Sequence, residues 1–262
     1  MFGLFDKKRA SDPNAPARLT LETQPEVIYA IGDIHGCLDK LKHLEALIAQ
    51  DAAGIEGEKL IITLGDYIDR GPASAQTLNW LSRTAPPGFK RICLRGNHEM
   101  LFLEAIENPR SANDWLRWGG KETLLSYGID GTAFQRMGRK SQLQVLQGMV
   151  PSEHLDFIKS CPILVSVGAL IFVHAGIRPG VALEQQRDED LIWIRDPFLI
   201  KDHGLGKTVI HGHTPVAEPA VMPYRIGIDT AAYDGGPLTA LKILKTGEMG
   251  LLSSTMPLRG AA

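Results

Sequence analysis

Apolar residues along this chain follow two rhythms. In EVIYAIGD (residues 26–33), KLIITLGD (59–66) and KRICLRGN (90–97), a short run rich in β-branched residues stops abruptly at glycine and a polar residue. Such runs predict strands. After the first, Leu38, Leu41, Leu44, Leu47 and Ile48 recur at spacings of three and four, as one buried helix face requires. Helix-like stretches also follow Pro72 and begin near His98. Strand, loop, helix three times over predicts an α/β layout, with polar clusters in the loops just after the strands.

From Ser111 to about Ser160 the pattern becomes helical, broken by Gly119-Gly120, and predicts an excursion from the sheet near residues 107–161. Strand-like runs then return in ILVSVGALIFVHAG, KTVIHGH, YRIGIDTA, LTALKILKTG and EMGLLSS. Turns at Thr246-Gly247 and near Gly168 predict antiparallel pairing among these later strands, which would build a second sheet packed on the first.

The opening residues change this picture little. Charges at residues 6–9 fall where a signal peptide needs its apolar run. The Ser, Asp, Pro, Asn and Ala content of residues 1–24 predicts a disordered amino-terminal tail, leaving residues 25–262 as a single catalytic domain. A net charge of -2 argues against a nucleic-acid partner, and no apolar stretch is long enough to cross a bilayer. Cys37, Cys93 and Cys161 lie far apart, which suggests neither a disulfide framework nor a zinc knuckle and suits a reducing cytoplasm.

The chemistry lies at the strand ends. In GDIHG, Asp33 and His35 are two residues apart and point the same way in extended chain, so a carboxylate and an imidazole can share a cation. GDYIDRG offers Asp66, Asp69 and Arg70; RGNHE offers Asn97 and His98; VHAG and HGH add His174, His211 and His213. Asp, His and Asn suit borderline-hard divalent ions such as manganese, iron or zinc, and more than four candidate ligands imply more than one ion. One aspartate can bridge two.

Taken together and in order, G-D-x-H-G, G-D-x-x-D-R-G, G-N-H-E, H-A-G and G-H-T-P resemble the calcineurin-like metallophosphoesterases, and closely their phosphoprotein phosphatase branch with its bacterial and phage members. The resemblance runs from about Tyr29 to Leu241. It implies a β-sandwich of two mixed sheets flanked by helices and two divalent ions, manganese first, with iron or zinc as alternatives. It assigns Asp33, His35 and Asp66 to one ion and Asp66, Asn97, His174 and His213 to the other, with Asp66 as the bridge. His98, held by Asp69, is the implied general acid; Arg70 and Arg95 are the implied phosphate-binding residues, joined by Arg195 from LIWIRDP. In the wider superfamily the late motif is G-H-x-H, and here Pro215 stands in place of its second histidine, so His213 is the implied ligand and His211 matches none. The implied reaction is direct in-line attack on a phosphomonoester by a hydroxide bridging the two ions. The substrate expected first is a phosphoprotein, as for a serine/threonine phosphatase with tyrosine also open, or a phosphorylated small molecule. A symmetrical bis(5'-nucleosyl)-tetraphosphate hydrolase is the alternative, and a non-catalytic phosphate-binding module a remote one. Trp115 and Trp118, beside Arg110, Arg117 and Lys121, are candidates to roof the site or to lie in the core.

Overall fold

The computed structural model describes residues 5–8, 17–108 and 110–258. Strands β1 (Phe5–Lys8) and β2 (Arg18–Leu21) come first. Then β3 (Val27–Ile31), α1 (Leu38–Asp51), β4 (Lys59–Thr63), α2 (Ser74–Leu81), β5 (Phe89–Cys93) and α3 (Asn97–Glu107) alternate as the pattern predicts. The helical excursion follows as α4 (Ala112–Trp115), a π-helical turn over Leu116–Gly120, α5 (Lys121–Ser126), α6 (Gly131–Arg136), α7 (Arg139–Met149) and α8 (Ser152–Ser160). The chain then runs through β6 (Leu164–Val167), β7 (Leu170–Val173), α9 (Asp188–Trp193), β8 (Thr208–His211), β9 (Ala220–Val221), β10 (Arg225–Gly227), β11 (Thr239–Leu244) and β12 (Met249–Ser253).

Two mixed sheets face each other, in the orders β1-β2-β6-β7-β8-β10-β9 and β12-β11-β3-β4-β5. Strand β3 shows why both faces of the five-stranded sheet are apolar. Its residues alternate, so Val27, Tyr29 and Ile31 pack with α1, α2 and the excursion, while Ile28 and Ala30 meet Val165, Phe172 and Ile210 of the other sheet. A third cluster seats Leu191 and Ile192 of α9 against Ile171, Val173 and Val209 on the far face of the seven-stranded sheet. The layers are therefore helices, sheet, sheet, helix. Among the described residues no helix is long and apolar enough to cross a membrane.

Two expectations are corrected. The late strands do not all join one sheet: β6 to β10 lie in the seven-stranded sheet, whereas β11 pairs antiparallel with β3, Ala240 opposite Ile31 and Leu244 opposite Val27, and carries β12 with it. Strands β4 and β5 lie on one side of β3, so its other, buried edge needs backbone partners, and β11 satisfies them with Ala240, Leu241 and Ile243 buried. The disordered tail expected over residues 1–24 is likewise too long. Arg18–Leu21 pairs in parallel with β6, and Phe5–Lys8 pairs antiparallel with Arg18–Leu21. The Arg18 guanidinium anchors that strand by donating to the Gln186 carbonyl and pairing with Asp188. Residues 1–4 and 9–16 lie outside the described residues.

Candidate metal and phosphate site

The loops after β3, β4, β5, β7 and β8 converge at one end of the sandwich. The backbone there is forced. Among the described residues, six non-glycine positions adopt the left-handed region, and five of them, His35, Asp66, Asp69, Arg70 and His213, belong to these loops. Such conformations cost on the order of 1–3 kcal/mol each and persist only where surroundings hold them. Buried Glu99 is one such hold, accepting the backbone N–H groups of Asp66 (2.9 Å), Tyr67 (2.7 Å) and Gly96 (2.9 Å). Burial, aided by the charge on Asp66, pushes its carboxyl up to about 7. Gly212 is another requirement, because a Cβ there would lie 1.9 Å from Asp33 Oδ1.

The imidazoles present lone pairs inward. His35 gives its Nδ1–H to the Ile68 carbonyl (2.8 Å) and His174 gives its own to the Leu64 carbonyl (2.8 Å). Each Nε2 then faces a carboxylate oxygen of Asp66, His35 at 3.5 Å from Oδ2 and His174 at 3.4 Å from Oδ1. A lone pair opposite a carboxylate needs a positive charge between them. Protons do not supply it readily, since burial holds His35 down at about 3 and His174 below its ordinary value. Asp66 itself stays below the usual carboxylate range although burial opposes this, because His174, His98 and His35 surround it.

Ligand atoms gather in two groups that share Asp66: His35, Asp66 and His98, and Asp66, His174 and His213, with all atoms of each group within 4.8 Å of one another. Asn97 Oδ1 lies between His174 Nε2 (2.8 Å) and His213 Nδ1 (2.9 Å). Asp33 borders the groups, accepting the backbone N–H of His213 at 3.0 Å. This donor set, buried, rich in acceptors and sharing the Asp66 carboxylate between its two groups, has the chemistry to hold divalent metal.

Asp229 deepens the need for positive charge. It is buried, and burial followed by the charge on Asp66 raises it to about 6; burial, then Asp229 and Asp66, raise Asp33. A folded pKa above the unfolded value of about 3.9 means that the folded state binds more protons in that window, so metal-free stability falls as pH rises from about 4 to 6. Divalent ions compete with those protons. Adding manganese to chelator-treated protein is expected to raise Tm more at about pH 7 than at about pH 5. Differential scanning calorimetry checks this, and an equal shift at both pH values would contradict it.

A second constellation adjoins the first. Buried Asp69 accepts from His98 Nδ1 (2.7 Å), Thr123 Oγ1 (2.6 Å) and, at 3.0 Å to both oxygens, Trp115 Nε1. His98 is oriented by this clamp, and its Nε2 is buried with no hydrogen-bond partner. Burial would lower the His98 pKa, but Asp66 and the Asp69 hydrogen bond outweigh it and raise it. The ring is poised to carry a proton.

His98 helps to line a cavity of about 160 Å³, together with Asp66, Arg70, Asn97, Trp118, Trp193, Arg195 and His213. Arg70 lies over the Tyr233 ring, 4.6 Å from its centroid. Arg95, expected to bind phosphate, is not among these residues. Its guanidinium is spent on the carbonyls of Ile158 and Lys159 and on Met100 Sδ, and it walls a neighbouring groove of about 880 Å³ instead. His211 also stays out of the site, packed 5.0 Å from Phe198 with Nε2 3.5 Å from Arg225.

The family model for calcineurin-like phosphoesterases matches residues 27–252. The chain belongs to that family. Within it, this phosphoesterase is 24% identical over 233 residues to the asymmetrical bis(5'-nucleosyl)-tetraphosphatase PrpE of Bacillus thuringiensis, covering 81% of this chain and 88% of the relative. It shares its fold with the crystal structure of a provisionally assigned diadenosine tetraphosphatase (TM-score 0.62, 18% identity, 89% of this chain and 96% of the other). It also shares its fold with a cold-active protein-tyrosine phosphatase of a Shewanella species (TM-score 0.55, 15% identity, 96% and 91%).

Three residues of this phosphoesterase's site escape a reading of its motifs. Asp229 ends a strand-like run in YRIGIDTA, the same signal that marks Asp33 and Asp66. Trp193 stands two residues before Arg195, and only its packing reveals it. Tyr233 follows Asp229 on a loop through left-handed Ala231, which carries its ring to 5.0 Å from that of His35.

Proposed function

We propose that the chain is a metal-dependent phosphomonoester hydrolase that acts on phosphorylated protein side chains. Asp33, His35 and Asp66 would hold one divalent ion, and Asp66, Asn97, His174 and His213 a second. When bound, such ions supply positive charge to the phosphoryl group and lower the pKa of water toward neutrality. The chain's own residues do the rest. Arg70 and Arg195 grip phosphoryl oxygens, His98 Nε2 delivers a proton to the leaving oxygen, and Asp69, braced by Trp115 and Thr123, keeps that ring in place. The observation that carries this reading is the buried, unpartnered Nε2 of His98, a residue that lines one pocket with Arg70 and Arg195.

A single phosphoryl group suits that pocket better than a polyphosphate chain. The adjoining groove sets Glu104, Glu107, Asp188 and Glu189 against only Arg95 and Lys159. Arg95 is already used by backbone carbonyls, and Lys159 pairs with Glu107 at 3.2 Å. The three further phosphates of a tetraphosphate would find no uncommitted cation along this groove. The second reading, a dinucleoside-tetraphosphate hydrolase, is favoured by the name of the Bacillus relative, which specifies asymmetrical rather than the symmetrical cleavage expected from the motifs.

A panel of phosphopeptides, diadenosine tetraphosphate and an aryl phosphate, assayed on chelated protein reconstituted with manganese or magnesium, tests both readings. The expected result is manganese-restored turnover of phosphopeptides and aryl phosphate, with kcat/KM at least tenfold above that for the dinucleotide, about 1.4 kcal/mol in transition-state binding. The reverse order would reject the phosphoprotein reading.

A further inference from the structure

We infer that Trp118 and Trp193 form an aromatic clamp at the mouth of the site that selects phosphate esters of a phenol, phosphotyrosine in a protein chain, over esters of an aliphatic alcohol. The inference rests on the phosphoprotein reading above and adds the side chain that carries the phosphate.

The two indoles come from unrelated elements and meet over the pocket. Trp118 lies in the π-helical turn and Trp193 ends α9. Their centroids are 5.8 Å apart with planes at 67°, an edge-to-face pair. Trp118 stands 6.3 Å from the His98 ring and Trp193 stands 6.1 Å from the His213 ring, both nearly perpendicular. Core packing does not explain Trp118, which is 43% exposed, whereas Trp115 three residues earlier is fully buried.

The backbone is also bent to hold Trp118 there. Gly119 takes φ +102°, its carbonyl accepts the Arg70 N–H at 3.1 Å, and a Cβ on it would come within 2.7 Å of that nitrogen. The turn carrying Trp118 is thereby pressed onto the loop that presents Arg70 and Asp69.

Where the leaving group must lie decides what the indoles touch. Its ester oxygen has to come within about 2.6–3.2 Å of His98 Nε2 to take a proton. The ring of an aryl ester is bonded directly to that oxygen and so falls beside Trp118, within the centroid range of about 4.5–7 Å at which aromatic rings attract. A serine or threonine ester places only one or two aliphatic carbons there. A nucleobase is held off by its ribose and would lie beyond both indoles rather than between them. Trp193 also forms part of the wall of the larger groove with Met100, Leu101, Leu103 and Ile192, which leaves a course for the peptide that bears the ring.

Matched phosphotyrosine and phosphothreonine peptides of one sequence, assayed on the manganese-reconstituted full chain, provide the test. Trp118→Leu is expected to lower the ratio of their kcat/KM values roughly three- to tenfold, and Trp118→Phe to restore most of it. Taking the ratio between variants cancels the intrinsic reactivity of the two leaving groups. Inhibition by phenylphosphonate should weaken in Trp118→Leu by a similar factor, while inhibition by methylphosphonate holds. Trp193→Leu repeats the test from the other wall. If neither leucine variant moves the ratio and both peptides are still hydrolysed, the clamp is overturned and the phosphoprotein reading survives. If the wild-type chain cleaves diadenosine tetraphosphate and neither peptide, both are overturned.

Discussion

His213→Ala is expected to bring turnover close to zero and to empty one of the two metal positions, while His211→Ala keeps both ions. The two histidines are one residue apart, yet their surroundings differ completely. His213 Nδ1 lies 2.9 Å from Asn97 Oδ1, and its ring is 5.1 Å from that of His174, inside the group of ligand atoms around Asp66. Burial pushes His213 down to about 3, so its ring is neutral and offers a lone pair at physiological pH. Alanine there leaves a gap in the coordination that only water can fill. His211 is buried against Phe198 at the end of β8, so its loss removes packing, a cost of a few kcal/mol in stability, and at most about 10- to 100-fold in activity through its neighbours. Metal content by mass spectrometry, with kcat on an aryl phosphate, separates the two. Were His211→Ala to lose an ion and His213→Ala to keep both, the assignment of the Gly-His-Thr-Pro frame would be wrong by two residues.

His98→Asn should lower kcat about 10²- to 10⁴-fold on an alkyl phosphate and less on an aryl phosphate with a good leaving group, which needs little protonation. The structure sharpens what this variant decides. His98 Nε2 is 3.9 Å from Asp66 Oδ2 and falls in one group with the ligand atoms of His35 and Asp66, so proximity alone would permit a ligand role. Its Nδ1 bond to Asp69 and the bracing of Asp69 by Trp115 and Thr123 argue instead for a ring held to move a proton. Unchanged metal content with the graded loss of kcat supports the acid. Loss of metal with equal damage on both substrates would make His98 a ligand and leave the proton to another group.

Local spacing carries one kind of information and long-range packing another, and the boundary runs between neighbouring residues. Asp33 with His35, Asp66, and Asn97 with His98 were legible because each follows an apolar run that must be a buried strand and must stop at a tight turn. That places the polar residue at the sheet end whatever the rest of the chain does. The α/β order, the buried face of α1 and the helical excursion were legible for the same reason, since hydrophobic period reports which face of an element is covered. The partner across that face was not. Arg95 sits two residues before Asn97, but the carbonyls of Ile158 and Lys159 at the end of α8 decide where its guanidinium points. Trp115 and Trp118 share one short stretch, and the turn through Gly119 puts the first under Asp69 and the second at the pocket's mouth. Strand β11 reads like the strands before it and still crosses to the five-stranded sheet, because the open edge of β3 had to be paired. Asp229 carried the right local signal, but its place beside Asp33 exists only once β3 and β10 have brought their ends together. The sequence by itself determined which residues stand at strand ends and what chemistry their atoms allow, because that follows from a few neighbouring positions. The tertiary structure alone decided which of those atoms face one another, because contacts between distant segments depend on how every intervening element packs.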